Sequence, residues 1–307
     1  MHIVFETILE HHRLLFKCYI QPNLFMQFKV FSSLTYQVFM PSTFIFNVQA
    51  AITTHQQIIE EQLTIDSHLQ LQPYTTNNGT NRFLGLSVYE PQLFTLQYQA
   101  IVDVQHTLID VFEDIQAYPF IEFSESVVPY LFPSRYCESD KLQKFAFKEF
   151  GHIQNKYEQV LCICEWIFEK VEYINGSTNS FTSAFNTITE RVGVCRDFAH
   201  VGIALCRALS IPARYCSVYA HHLFPPDFHA CFEAYIGGKW IFFDPTKLVP
   251  VNGMVFINVG KDASTAAFAS IYGNSFCTAI EVSCEAIETN FTPYYYQQNV
   301  DKVVAYT

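Results

Sequence analysis

The strongest constraint on the fold of this chain is a change in the spacing of its apolar residues around the stretch "EFSESVVPYLFPSRYC". Before it, from Leu34 to about His106, β-branched and aromatic residues form short runs separated by turn signals, which is typical of antiparallel strands. After it, "KYEQVLCICEWIFEKVEY" places apolar residues three and four apart, which is typical of a helix. Strand-like runs return after Pro212. This order predicts an α+β fold.

These changes predict three segments. Residues 1–33 have weak periodicity and are predicted to be an N-terminal extension. Residues 34–127 are predicted to form an antiparallel β domain, and residues 128–307 a core in which helices pack on a second antiparallel sheet. The apolar stripe of the main predicted helix consists of Val160, Cys164, Ile167 and Val171.

The composition favours a globular protein and excludes some partners. Half of the 307 residues are apolar, so the chain can bury a large core. The net charge of −11 is wrong for a protein that binds the phosphate backbone, so we expect no nucleic-acid partner. Glu6, Glu10 and Arg13 interrupt the apolar residues near the start, which predicts neither a signal peptide nor a membrane span. A cytoplasmic location is expected.

The ten cysteines are expected to be reduced thiols, and most of them small core residues. Cys162 and Cys164 lie two apart on a predicted helix and therefore point to different faces. The pairs His11/His12 and His221/His222 have no acid or cysteine at ligand spacing. We therefore expect no metal ion and no cofactor.

Cys195 in "GVCRDFAH" differs from the other cysteines in its position, because a helix is predicted to begin near it and to end by Ser210, before Pro212. Backbone N–H groups at a helix N-terminus favour the thiolate, which is the nucleophilic form of cysteine. Asp197 would oppose a thiolate if it pointed the same way. The small face formed by Ala199, Gly202, Ile203 and Cys206 would let this helix pack closely on a sheet. On this evidence alone, the sequence favours a buried structural cysteine over a catalytic one.

A predicted hairpin connects two further polar residues. In "HACFEAYIGGKWIFFDPT" the Gly-Gly pair suits a two-residue turn that pairs Ile236 with Lys239. Cys231 then lies opposite Asp244, and His229 shares their face. Diagonal neighbours on one face are about 7–8 Å apart at the backbone, so an imidazole–carboxylate hydrogen bond is within reach.

A thiol at a helix start and an imidazole beside a carboxylate are the groups that activated-cysteine chemistry needs. In this interpretation His229 takes and returns the proton of Cys195, and Asp244 orients the imidazole. The alternative is that His229 is a satisfied strand histidine and Asp244 only begins the "DPT" turn. Three other residues are weaker candidates, namely Cys137, which has acidic neighbours, His200, which lies more than a helical turn beyond Cys195, and Asp262.

The residues also resemble a known family. The strings "STFIFNVQA", "LQYQA", "PYLFPSRYC", "GVCRDFAH", "ALCRALSIPARY", "DFHACFEAY" and "WIFFDPT" are similar to those of bacterial transglutaminase-like proteins of the papain-like cysteine protease and transglutaminase superfamily. The resemblance covers about Leu34 to Gly273. It implies a Cys195, His229 and Asp244 triad on an α+β core, with the cysteine helix packed on an antiparallel sheet, behind an N-terminal β domain.

The function expected from these observations is thiol-dependent acyl transfer on an amide bond of a peptide or protein, through a thioester, as in a cysteine protease or amidase. The backbone N–H of Cys195 is one expected donor to the oxyanion, and Tyr173 or Asn186 is a candidate for a second. Two alternatives stay open, a transglutaminase that acts on protein glutamine and a catalytically idle module that binds a peptide or protein.

Overall fold

The computed structural model describes residues 25–75, 81–110, 122–288, 290–295 and 302–306. Its strands are β1 (Phe25–Val38), β2 (Ser42–Phe46), β3 (Gln56–Ile65), β4 (Gln72–Thr75), β5 (Arg82–Val88), β6 (Gln92–Gln105), β7 (Thr107–Asp110), β8 (Glu172–Tyr173), β9 (Val192–Gly193), β10 (Ala213–Ala220), β11 (His229–Ile236), β12 (Lys239–Phe243), β13 (Met254–Gly260), β14 (Ala269–Tyr272), β15 (Ser275–Ala286) and β16 (Lys302–Ala305). Its helices are α1 (Ser139–Phe150), α2 (Lys156–Lys170), α3 (Ala184–Glu190), α4 (Cys195–Ala208) and α5 (Ala263–Ala266). The predicted α+β class is confirmed.

The first part of the chain forms a β-sandwich. One antiparallel sheet has the strand order β15-β1-β6-β3, and the other has the order β14-β2-β5-β4. Aromatic rings join the two sheets, because Tyr36 of β1 and Phe94 of β6 each lie 5.2 Å from Phe44 of β2 between ring centroids. The two sheets therefore face each other across an aromatic core.

The predicted boundary after residue 33 is wrong, because it falls inside β1, which begins at Phe25. The alternation of buried and exposed residues starts at Met26, but Phe31 is only partly buried and Ser32 is buried. Ser32 can face inward because its hydroxyl hydrogen-bonds the hydroxyl of Tyr219, at 2.9 Å. Because a polar residue, Ser32, faces inward and the apolar Phe31 does not, the alternation typical of a strand is not visible in the sequence. Residues 1–24 of the predicted extension lie outside the described residues.

The predicted core of residues 128–307 also needs correction, because its last strands return to the sandwich. β15 pairs antiparallel with β1, and β14 pairs antiparallel with β2. Each sheet of the sandwich thus receives an edge strand from the C-terminal part of the chain. Alternating residues identify a strand, but they do not identify its partner when that partner is more than two hundred residues away along the chain.

The helical part packs on a second antiparallel sheet, which has the strand order β12-β11-β10-β13. The predicted stripe is confirmed as buried, since Val160, Cys164 and Ile167 of α2 have no exposed surface and Val171, which directly follows the helix, is also buried. The predicted small face of α4 is confirmed as well. At Gly202 a Cβ atom would lie 2.5 Å from a ring carbon of Phe232 on β11, so only glycine allows this close approach of helix and sheet.

A buried amide connects the sandwich to this second sheet. Gln56 at the start of β3 is fully buried, and its Nε2 donates to the carbonyl oxygens of Ala51 and Phe256, both at 2.8 Å. Its Oε1 accepts from the N–H of Phe256 at 2.7 Å. One side chain thus satisfies both backbone groups of a residue in β13. Among the described residues, no helix combines the length and apolar character needed to cross a membrane.

Candidate active site

Cys195 is the first residue of α4, and its side chain is only partly buried. Most of the other described cysteines are fully buried. The thiol therefore lies at the end of a helix where backbone N–H groups have no partners within the helix. This is the environment in which a negative charge on sulfur is stabilised.

The start of α4 is held by Asp197, whose carboxylate is fully buried. Its Oδ2 accepts from the N–H of Val194 at 3.0 Å, and its Oδ1 pairs with Arg196 at 2.8 Å. A Cβ atom at Gly193 would lie 2.9 Å from the Cβ of Asp197, so glycine leaves room for this cap. The charge of Asp197 is neutralised by Arg196.

The hairpin of β11 and β12 has the predicted register, which is confirmed from Ile236 opposite Lys239 to Phe232 opposite Phe243. Gly237 and Gly238 both have positive φ angles, of 60° and 78°, as the two-residue turn requires. Because the register is correct, residues at the open end of the hairpin lie where the sequence places them.

His229 and Asp244 meet at that open end. The Nε2 of His229 lies 3.2 Å from Oδ2 of Asp244, and both side chains are buried. The other carboxylate oxygen accepts from the N–H of Thr246 at 3.0 Å and from its hydroxyl at 2.7 Å. The carboxylate is therefore fixed on one side by Thr246 and available to the imidazole on the other.

The pKa of His229 is raised well above its usual value of 6.5. Burial lowers it, whereas the neighbouring Cys231 and Asp244 raise it, as do the hydrogen bond to the carboxylate of Asp244 and the nearby thiol of Cys195. Burial raises the pKa of Cys231 to about 12, so that thiol is neutral near pH 7. Asp244 is therefore the neighbouring charge that stabilises the imidazolium at neutral pH.

The second ring nitrogen, Nδ1 of His229, is buried and has no hydrogen-bond partner among the described residues. The side chain of Cys195 is nonetheless near enough to contribute to the raised pKa of the imidazole. The ring therefore has a carboxylate at Nε2 and a thiol close by. A proton can pass between sulfur and imidazole while the carboxylate holds the ring in place.

Of the two candidate side chains for the oxyanion, the structure brings Tyr173 to Cys195 and leaves Asn186 elsewhere. The pKa of Tyr173 is raised to about 12, first by burial and next by the charge of Cys195, while the backbone N–H of Cys195 lowers it. Asn186 instead caps α3, where its Oδ1 accepts from the N–H of Ser183 at 3.1 Å. A phenol and a backbone N–H thus lie together beside the sulfur.

The three weaker candidates occupy other positions. Cys137 is fully buried, and burial raises its pKa. The ring of His200 stacks on Tyr136 at 5.1 Å, and its Nε2 accepts from the N–H of Ala263 at 3.1 Å. Asp262 caps α5 and accepts from the N–H of Tyr136 at 2.9 Å. These contacts give His200 and Asp262 structural partners away from His229.

Of the pairs considered for a metal, His221/His222 is held by local contacts, and Cys162/Cys164 is partly buried in α2. Nδ1 of His221 lies 3.1 Å from the carbonyl oxygen of Cys284, and Nδ1 of His222 lies 3.1 Å from the hydroxyl of Tyr295. Cys164 of the second pair is fully buried. His11 and His12 lie outside the described residues.

Sequence reasoning missed the importance of Cys231. One ligand atom from each of His229, Cys231 and Asp244 lies within 4.8 Å of the other two, and all three residues are buried. The predicted register already put Cys231 opposite Asp244, so the signal was present. These three residues are also the described group that could hold a metal ion.

Comparison with known proteins agrees with this architecture. Residues 26–126 match the family model of the bacterial transglutaminase N-terminal domain, and residues 143–245 match that of the transglutaminase-like superfamily. A crystal structure of a candidate cysteine protease from Cytophaga hutchinsonii is 54% identical, covers 92% of this chain and 98% of its own, and superimposes with a TM-score of 0.90.

A curated relative, an uncharacterized protein of Mycobacterium leprae, is 31% identical over 136 residues, which are 41% of this chain. The match spans about half of that relative, 48% of its length. Together with the two family models and the Cytophaga structure, the fold shows that the chain belongs to the transglutaminase-like superfamily and carries the bacterial transglutaminase N-terminal domain.

Proposed function

We propose that the protein is a thiol-dependent acyl-transfer enzyme that hydrolyses an amide bond of a peptide or protein substrate. One observation carries this proposal. The buried imidazole of His229 hydrogen-bonds Asp244 at 3.2 Å and also has the thiol of Cys195, at the start of α4, as a polar neighbour. The similarity to the Cytophaga protein supports it further.

In the first half of the reaction, His229 accepts the thiol proton of Cys195, and the sulfur attacks the carbonyl carbon of the amide. The resulting oxyanion receives hydrogen bonds from the backbone N–H of Cys195 and from the hydroxyl of Tyr173. The C–N bond then breaks, and the imidazolium gives its proton to the leaving amine. The product of this half is a thioester on Cys195.

In the second half, His229 takes a proton from water, which attacks the thioester carbonyl. The C–S bond breaks, the acid product leaves, and the proton returns to the sulfur. Asp244 touches neither the sulfur nor the substrate. Its role is to hold the ring through Nε2 and to stabilise the imidazolium formed in each half, and Thr246 holds Asp244 in turn.

The test is turnover of a library of fluorescent peptide amides by the full chain, followed by mass spectrometry of the protein after acid quenching. We expect release of ammonia or amine and an acyl group on the peptide that contains Cys195. Cys195→Ala should abolish both, whereas Cys277→Ala, which removes another partly buried thiol, should leave both unchanged. Acylation of other cysteines alone would rule the proposal out.

The same assay separates the two alternatives. If a fluorescent primary amine is incorporated into a glutamine-containing protein faster than ammonia is released without amine, the enzyme is a transglutaminase. If peptides bind with measurable affinity but no acyl-enzyme forms on Cys195 at any pH, the protein is a binding module and the proposed hydrolysis is wrong.

A further inference from the structure

Cys231 has no role in the proposed hydrolysis, yet its sulfur lies among the groups that do. It follows His229 by two residues on β11 and therefore projects from the same face of the strand. It lies one residue beyond the last observed pair, Phe232 opposite Phe243, on the side of the hairpin where Asp244 follows β12. The residue is fully buried, with no exposed surface. A thiol, an imidazole and a carboxylate thus converge at one point.

The spacing of these groups suits a small cation. Their ligand atoms all lie within 4.8 Å of one another, and the Nε2 to Oδ2 distance between His229 and Asp244 is 3.2 Å. Bonds of about 2.0–2.3 Å from a tetrahedral Zn²⁺ put neighbouring ligand atoms about 3.3–3.8 Å apart. The His229–Asp244 pair therefore already has this spacing, and small side-chain rotations bring in the sulfur.

The other ring nitrogen determines which proton His229 can keep when Nε2 binds a ligand. Nδ1 of His229 is buried and has no hydrogen-bond partner among the described residues. Asp244 favours a proton on Nε2 in the free protein, but when a cation displaces that proton, Nδ1 can keep its own and the lone pair of Nε2 is then free. A metal ligand needs that lone pair. The imidazole is thus prepared both for catalysis and for coordination.

We propose that His229, Cys231 and Asp244 form a binding site for a divalent cation of Zn²⁺ type. When the cation binds, the S–H bond of Cys231 and the N–H bond at Nε2 of His229 break, both protons go to solvent, and metal–sulfur and metal–nitrogen bonds form without any change of oxidation state. The donor set of one sulfur, one nitrogen and one oxygen favours Zn²⁺ over Mg²⁺ or Ca²⁺. Water or the sulfur of Cys195 completes the tetrahedron.

A cation bound at this site should inactivate the enzyme, a consequence that rests on the proposed function as a hydrolase. The cation uses the lone pair of His229 and the carboxylate oxygen of Asp244, so the imidazole can neither accept the thiol proton nor be held by its carboxylate. The hydrolase would then be reversibly inactive until a chelator removes the ion. Binding itself does not depend on the enzyme being a hydrolase.

Co²⁺ is the probe for the test, because a thiolate bound to it gives a charge-transfer absorption in the near ultraviolet. The full chain carrying Cys195→Ala is titrated with Co²⁺, so that the nucleophile cannot supply the thiolate. We expect one equivalent to bind with this absorption, and Zn²⁺ to displace it. Adding Cys231→Ala or Cys231→Ser should remove the absorption and weaken Co²⁺ binding by about 100-fold.

Cys206→Ala in the same background is the matched control, because Cys206 is a fully buried thiol on α4 outside the cluster. It should leave the absorption intact, and circular dichroism identifies any variant that fails to fold. If the folded Cys195→Ala protein binds no Co²⁺, or keeps the thiolate absorption when Cys231 is replaced, the site is refuted.

Activity measurements separate this outcome from failure of the proposed function. Zn²⁺ should inhibit hydrolysis by the parent protein, and a chelator should restore it. An active enzyme without the cobalt absorption disproves the metal site alone. The cobalt absorption in a protein that never forms an acyl-enzyme disproves the hydrolase alone.

Discussion

Nε2 of His229 lies 3.2 Å from Oδ2 of Asp244, at the open end of the hairpin formed by β11 and β12. Both side chains are buried, so their interaction is little screened by water. The carboxylate raises the pKa of the imidazole against the effect of burial. The register of the hairpin thus places His229 beside Asp244, and His229 is the residue proposed to activate Cys195.

Replacing Asp244 by Asn should reduce kcat/KM for peptide amide hydrolysis by about 100- to 10,000-fold, because the imidazolium loses its charged partner and the ring its preferred tautomer. The pKa of His229 should fall, which NMR of the labelled imidazole can follow. Asp227→Asn is a suitable control, since Asp227 is an exposed carboxylate near the same histidine. Equal losses in both variants would disprove a special role for Asp244.

The raised pKa of His229 also predicts how stability depends on pH. The folded imidazole binds its proton more tightly than the unfolded chain does, so the stabilisation is fully present below about pH 6.5 and is lost as the pH rises through the folded pKa. The difference in unfolding free energy between the parent and Asp244→Asn should therefore shrink as the pH rises above about 6.5. Urea unfolding at several pH values measures it, and a difference that grows with pH has the wrong sign.

Thr246 should act as a positioning residue. Its hydroxyl donates to Oδ1 of Asp244 at 2.7 Å, and hydrogen bonds to charged groups contribute about 1.5–3 kcal/mol. Thr246→Val should therefore lower kcat about tenfold with little change in KM, and should shift the pH profile of kcat. Thr246→Ser keeps the hydroxyl and should restore most of the rate. If Thr246→Ser and Thr246→Val lower kcat equally, the hydroxyl has no part in positioning Asp244.

Gln56 should matter for stability and not for chemistry. Gln56→Leu removes the acceptor of the Phe256 N–H and a donor to the carbonyl oxygen of Ala51, whereas the carbonyl oxygen of Phe256 still accepts from the N–H of Ala51 at 2.8 Å. The loss should cost about 1–3 kcal/mol in unfolding free energy. Gln57→Leu changes the exposed neighbour and should stay within about 0.5 kcal/mol of the parent. Urea unfolding of both variants checks this, and equal stabilities would show that the buried amide does not join the two parts of the fold.

Local patterns were sufficient to predict the hairpin and the helix of the candidate site. The Gly-Gly turn fixes the register of β11 and β12, and a period of two then puts His229 and Asp244 on one face. The small-residue face of α4 indicates a helix packed on a sheet, and Pro212 predicts that this helix ends before it. These features depend on residues that are near each other in the sequence.

The features that the sequence did not predict depend on distant contacts. Ser32 faces inward only because Tyr219 provides a hydrogen-bond partner, and this partner is not visible in the pattern of β1. The return of β14 and β15 to the sandwich is a choice of partner strand, which periodicity does not encode. Tyr173 and Asn186 were equivalent in the sequence, and the pairing of β8 with β9 separates them, because it places Tyr173 opposite Gly193.

The central claim is that the thiol of Cys195 is activated by His229, and site-resolved alkylation tests it most directly. Iodoacetamide labelling of the full chain is followed by mass spectrometry, with Cys162 and Cys277 as internal controls, since they are also partly buried and their pKa values are raised by burial. At about pH 6 we expect Cys195 to react at least tenfold faster than either, and His229→Ala to remove this advantage. Labelling of Cys195 at the rate of Cys277, with no effect of His229→Ala, would contradict the account.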